Sequence, residues 1–250
     1  MTDIRFHTFT DAAGKQRRIA YRQVEGTGPT LVFLPGYMSD MAGGKATAVF
    51  DHATAQGRAA LLLDYSGCGM SDGAFGDGTL GRWCEEIVDL INALALDRVV
   101  LVGSSMGGWL MLLAGLELGD RVAALVGIAA APDFTDWGFT PADTARLAAG
   151  ETIFEDNPYG PEPTPTHAGF WADGQRRLLL GAPIPLTCPV RLLHGQADPD
   201  VPWDVSIRLA AALCSDDVQV HLIKDGDHRL SRAQDIALLL STIDALPKES

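Results

Sequence analysis

The sequence predicts an α/β fold: a mostly parallel eight-stranded sheet with helices on both faces and a small helical cap insertion. Three observations carry this. Apolar runs of strand length recur along the chain, stretches of helical length separate them, and the rhythm breaks once, over residues 132–187.

The elements follow in order. Residues 4–9 and 19–24 read as strands separated by the turn signal Asp11-Ala12-Ala13-Gly14, an antiparallel hairpin at one edge. Residues 30–34 are apolar throughout and closed by Pro35-Gly36, as suits a parallel strand covered on both faces. A helix over 45–56 stops at Gly57, and 59–64 is another buried strand, followed by the glycine-rich loop SGCGMSDGAFGDG. Across 80–96, Trp83, Ile87, Leu90, Ile91 and Leu94 recur three and four apart, the mark of an amphipathic helix. Strand 98–102, helix 106–118 and strand 122–129 come next. After the break, strand 190–193, helix 205–213, strand 218–223 and helix 231–246 resume the alternation.

The break holds eight of the chain's 14 prolines together with Phe134, Trp137, Phe139, Phe154, Tyr159, Phe170 and Trp171. A solvated linker is poor in aromatics, so residues 132–187 are expected to fold as a cap over the carboxyl ends of the strands. Ligands bind at that edge of such sheets. Two or three short helices are expected, near 142–149 and 168–180. Residues 1–131 and 188–250 form the core.

With 250 residues the chain is ample for one such domain. Its net charge of −13 and pI near 4.7 argue against nucleic acid or an anionic membrane as partner, since both would repel it. Cys68, Cys84, Cys188 and Cys214 form no CxxC pair, which removes the usual zinc and redox spacings and fits free thiols in a reducing compartment. The N-terminus lacks the apolar run of a signal peptide, and no apolar run reaches membrane-spanning length. A cytoplasmic protein without membrane insertion, a monomer or weak homo-oligomer, is expected.

The chemistry is expected at Gly103-Ser104-Ser105-Met106-Gly107. GxSxG alone is a common pattern, but here a strand precedes it and a helix follows, the context of a nucleophile held at a strained turn. Glycine at 103 and 107 lets the backbone pack closely around Ser105, and the Met106 N–H, at a helix start, suits an oxyanion. Ser104 sits one residue early and reads as structural. A base and an acid should follow in the order Ser, Asp, His. Asp198 comes after strand 190–193 in HGQADPDVPW, and His228 after strand 218–223 in DGDHRL, so both emerge on the same rim. Asp200 is the alternative acid. His7, His52, His167, His194 and His221 read as surface or packing residues. The loop Pro35-Gly36-Tyr37-Met38-Ser39 supplies the second oxyanion donor, the Tyr37 N–H, with Gly36 allowing an unusual backbone angle. The Tyr37 ring either lines the cleft or packs. Cys68 reads as a small buried residue in its tight loop.

With these residues assembled, the chain resembles the α/β-hydrolase family over about residues 30 to 245. The stretches FLPGYMSDMAGGKA (33–46), LDYSGCGMSDG (63–73), LVGSSMGGWLMLLA (101–114), PVRLLHGQADPDVPW (189–203) and DHRL (227–230) carry the resemblance. It implies a serine hydrolase of carboxylic esters and thioesters, including palmitoyl groups on protein cysteines and acyl glucuronides. Residue by residue it implies Ser105 as nucleophile, Asp198 as acid, His228 as base, and the Tyr37 and Met106 amides as the oxyanion hole. The substrate is then a small-molecule ester or an S-acylated molecule, and no cofactor or metal is expected. Other reactions on the same triad, carbon–carbon bond hydrolysis or acyl transfer, are the rivals within enzymes. A small-molecule receptor on a hydrolase scaffold is the rival outside them.

Overall fold

The computed structural model describes residues 3–11, 13–157 and 160–246. Tyr159, one of the aromatics that mark the insertion, lies outside them. Strands β1 (Arg5–Thr10) and β2 (Gln16–Val24) pair antiparallel, and β2 joins β4 (Arg58–Leu63) antiparallel. The parallel part then runs through β3 (Thr27–Leu34), β5 (Val99–Ser104), β6 (Val122–Ile128), β9 (Val190–Gly195) and β10 (Val218–Ile223). The sheet order is β1-β2-β4-β3-β5-β6-β9-β10, eight strands with the hairpin at one edge, as the apolar runs predict.

Alternation along β3 explains why the sheet is covered twice. Val32 and Leu34 face one layer with Leu61, Leu63 and Leu101, against α2 (Leu80–Ala93) and α3 (Met106–Leu118). Leu31 and Phe33 face the other, with Leu62, Val100 and Val102, against α1 (Gly44–Ala55) and α8 (Ala233–Asp244). Helix α2 begins where the Thr79 hydroxyl accepts the Arg82 N–H at 3.2 Å, an N-cap that fixes its first turn. Helix α3 is buried nearly all round, from Met106 through Gly115, as befits a central helix apolar on every face.

Between β6 and β9 the chain makes its excursion. Among the described residues it forms α4 (Phe134–Trp137), α5 (Pro141–Ala148), the antiparallel pair β7 (Ile153–Glu155) and β8 (Thr164–Thr166), and α6 (Ala168–Gln175). Helix α5 falls where expected, with Thr140 capping and Pro141 at its first position. Helix α6 ends earlier than the sequence suggests. Asp173 draws Arg176 and Arg177 to itself at 3.1 and 3.0 Å, and the Asp133 carboxylate takes the Leu179 and Leu180 N–H groups at 2.8 and 2.7 Å. Those amides are therefore spent outside a helix. The β7–β8 pair was not expected, because its three-residue strands are too short to show alternation.

Candidate active site

Ser105 joins β5 to α3 with φ 54° and ψ −121°, a left-handed conformation that a serine adopts only under constraint. The constraint is backbone packing: a methyl on Gly103 would strike the Gly107 carbonyl, and one on Gly107 would strike that of Leu34. Ser105 is the N-cap of α3, yet its hydroxyl caps nothing. Its Oγ lies instead 3.1 Å from His228 Nε2. His228 Nδ1 lies 2.8 Å from Asp198 Oδ2. Three residues from three separate strand ends thus make one hydrogen-bonded line. Ser104 closes β5 opposite Ile128.

The loops carrying Asp198 and His228 are held backbone to backbone. The Ala197 and Gln196 N–H groups donate to the Gly226 and Ile223 carbonyls at 3.0 and 2.8 Å. Gly195 lies so near Gly226 that a side chain on it would collide with that carbonyl. The glycine of HGQAD and that of DGDH therefore serve the same contact.

The Asp198 side chain is wholly buried and that of His228 mostly so. Burial by itself raises the carboxyl pKa. Hydrogen bonds from His194 and His228, the charge of His228 and the Val201 N–H more than offset that and hold Asp198 well below the usual carboxylate range. The His194 contact is a correction to the sequence reading. His194 is not a mere packing residue at a strand end, because its Nε2 stands 3.3 Å from Asp198 Oδ2. The signal in the sequence was its place four residues before Asp198. Three of the other four histidines pair on or near the surface, His7 with Asp89, His52 with Asp244 and His167 with Thr152, while His221 lies half-buried within β10.

Across the cleft, the loop after β3 brings up Tyr37. Neither its N–H nor that of Met106 is spent in a turn or loop hydrogen bond among the described residues. The loop corrects another expectation. Gly36 keeps an ordinary φ, and Met38 takes the left-handed conformation instead, at φ 52°. Gly36 is small because a Cβ there would lie 3.3 Å from the Ser105 Cβ. The Tyr37 ring both packs and borders the cleft: it meets Phe75 at 4.9 Å and Phe170 at 5.0 Å between centroids, and its hydroxyl donates to the Pro165 carbonyl at 2.9 Å.

These groups share a cleft of about 690 Å³ with Phe134, Trp137, Phe139 and Glu155 of the insertion. Asp198, Asp200 and His228 place ligand-type atoms within 4.8 Å of one another. Both His228 nitrogens and both Asp198 oxygens are already hydrogen-bonded, so this grouping offers a relay rather than a set of free metal ligands. Cys68 is buried, and that burial, with Asp64 and Glu86 nearby, pushes its thiol up to about 12, far from a reactive thiolate.

Residues 29–151 match the family described as alpha/beta hydrolase fold. The palmitoyl-protein thioesterase ABHD10 of mouse, a protein named as mitochondrial, is 41% identical over 234 residues, 91% of this chain and 78% of the relative. The chain belongs to the α/β-hydrolase family. A crystal structure from Agrobacterium vitis S4 superposes on this α/β-hydrolase with a TM-score of 0.91 at 38% identity, over 98% of this chain and 99% of that one. Mouse α/β-hydrolase domain-containing protein 10 superposes with a TM-score of 0.88 at 36% identity, over 97% and 98%. The protein is thus a hydrolase. Among its described residues no helix is long and apolar enough to cross a membrane.

Proposed function

We propose that this α/β-hydrolase cleaves thioesters and carboxylic esters of apolar acyl groups through Ser105, His228 and Asp198. The unbroken line from Ser105 Oγ to His228 (3.1 Å) to Asp198 (2.8 Å) carries the reading. His228 Nε2 takes the Ser105 proton as Oγ attacks the acyl carbon, and Asp198 stabilises the imidazolium that forms. The Tyr37 and Met106 N–H groups receive the developing oxyanion, each worth ~10²–10³ in rate. The imidazolium then gives its proton to the departing thiol or alcohol. A water deprotonated by His228 releases the acid and restores Ser105.

The insertion acts as the cap that shapes the acyl site, supported by Phe134, Trp137 and Phe139 along the cleft. The name of the mouse relative, a palmitoyl-protein thioesterase, supports S-acyl substrates, and acyl glucuronides belong to the same ester chemistry. Labelling with a fluorophosphonate probe tests the nucleophile. Wild type is expected to label and Ser105→Ala not to; unlabelled wild type, or undiminished labelling of the variant, overturns the assignment. A panel of oxyesters, S-acyl thioesters and acyl glucuronides, assayed with and without an acceptor alcohol, separates hydrolysis from acyl transfer.

A further inference from the structure

We propose that His194 is a positioning residue for the acid of the triad, the inner member of a hydrogen-bonded line that starts in helix α7 (Asp204–Ala212). The proposal rests on the Ser105–His228–Asp198 reading above. His194 is fully buried as the penultimate residue of β9, and Ser206 of α7 is fully buried beside it. His194 Nδ1 lies 2.7 Å from Ser206 Oγ. Its Nε2 lies 3.0 Å from the Val201 carbonyl and 3.3 Å from Asp198 Oδ2. Both neighbours of Nε2 are acceptors, so Nε2 carries the hydrogen and the Ser206 hydroxyl donates to Nδ1.

The consequence falls on Asp198. Its Oδ1 accepts the Asp200 and Val201 N–H groups at 2.8 and 2.9 Å; its Oδ2 accepts from His228 at 2.8 Å and has the His194 N–H, which it shares with the Val201 carbonyl, 3.3 Å away. Three hydrogen bonds and this fourth, shared N–H surround a carboxylate whose side chain sees no solvent. The same ring, by holding the Val201 carbonyl, ties the far end of the acid loop back to the strand that launched it. An aliphatic side chain of equal size would fill the space but leave the carboxylate one donor short and the loop untied. Asp198 would then bind the His228 imidazolium more tightly and turn more freely. The titratable groups that face it are His194 from β9, His228 from the loop after β10, and Asp200 from its own loop; α7 faces the His194 ring with Ser206.

The test compares kcat, KM and the pH profile of kcat/KM, with a p-nitrophenyl ester as probe, in wild type, Ser105→Ala, His194→Leu, His194→Gln and Ser206→Ala. His194→Leu is expected to lose kcat about ten- to hundredfold at unchanged KM, the worth of one hydrogen bond to a charged group. The acid limb of its profile, set by His228, should move to higher pH. His194→Gln, whose amide nitrogen reaches the place of Nε2, should recover most of kcat and the wild-type limb. Ser206→Ala, which frees the ring without removing it, should lose less and shift the limb the same way. Equal losses in the Leu and Gln variants with an unmoved limb would mean a packing role and overturn the proposal. If His194→Leu fails to fold, a wild-type kcat and limb in Ser206→Ala overturn it instead. Activity lost in Ser105→Ala upholds the triad whichever way His194 behaves; activity kept there removes the triad itself.

Discussion

Gly107 and Leu34 are packed backbone against backbone, so that the first turn of α3 bears on the end of β3. A single added methyl would push the Leu34 carbonyl away and take the Tyr37 amide with it. Gly107→Ala is therefore expected to cost at least the ~1–3 kcal/mol of an overpacked core. It should also lower kcat by displacing the Tyr37 amide, the proposed oxyanion donor. Thermal melts and esterase assays on the same preparation check both, and a variant with wild-type Tm and kcat refutes the coupling.

Replacing Asp198, the proposed acid, without changing its shape isolates its charge. Asp198→Asn should lower kcat by about 10⁴ with little change in KM, as the imidazole loses its oriented, charge-stabilised state. The same substitution has a stability signature. The native Asp198 carboxyl is held below its unfolded value, so its ionisation stabilises the fold above the ordinary carboxylate range and that contribution disappears as pH falls through the native pKa. The stability gap between wild type and Asp198→Asn should narrow on acidification below about pH 4. A gap that stays constant to pH 2 contradicts the shift.

Glu86 and Arg17 form a pair sunk beneath the edge hairpin, fully and nearly fully buried, with Nε and Oε1 3.5 Å apart. Arg17 Nε and Nη2 and Glu86 Oε1 have no protein hydrogen-bond partner. Arg17 Nη1 also pairs with Asp11 Oδ2 at 3.0 Å, so it is the loss of Arg17 that leaves the buried Glu86 without its cationic partner. Arg17→Met should cost about 3–5 kcal/mol, and the double variant Arg17→Met with Glu86→Leu should recover most of it. Urea unfolding of the two variants measures the difference; a double variant no more stable than the single one defeats the argument.

Lys45 borders the cleft, and its ammonium donates to the Arg229 carbonyl next to the base. Burial, with the nearby charge of Arg229, lowers its pKa to about 8. The unfolded chain then binds the proton more tightly than the native one. Raising the pH from 8 towards the ordinary lysine value of ~10.5 should stabilise the native state through this group. Lys45→Gln should lack that gain, seen as a flatter Tm between pH 8 and pH 10. A parallel pH dependence in both proteins sinks the prediction.

The apolar wall of the cleft makes a last prediction. Wild type should show higher kcat/KM for medium-chain than for acetyl p-nitrophenyl esters. Phe134→Ala, which removes a ring that meets Trp109 and Phe170 at 5.7 Å, should narrow that ratio by about tenfold. A preference for acetyl in wild type overturns the acyl-site reading.

The parallel sheet was legible because strands buried on both faces must be apolar at every position, as Leu31 through Leu34 are. The meeting of Ser105 with His228 and Asp198 was legible because a strained turn needs glycines at fixed offsets, and because Asp198 and His228 each follow a strand that ends on the same rim. What stayed hidden depends on contacts distant in the chain. The end of α6 is set by Asp133, more than forty residues earlier, so the apolar Leu178, Leu179 and Leu180 looked helical. His194 looked inert because its partners, Val201 and Ser206, meet it only when the acid loop folds back. The left-handed residue of the loop after β3 was sought at Gly36 and occurs at Met38.

Asp133 also brings the two ends of the excursion between β6 and β9 together, since its carboxylate grips Leu179 and Leu180. A segment whose entry and exit already touch imposes no span on the sheet that bears it. Its length and sequence are free to drift while the machinery below stays constant, much as a tool head is exchanged on a fixed handle. Diversification among such enzymes then needs no redesign of the chemistry, only a new stretch of chain that closes on the same carboxylate.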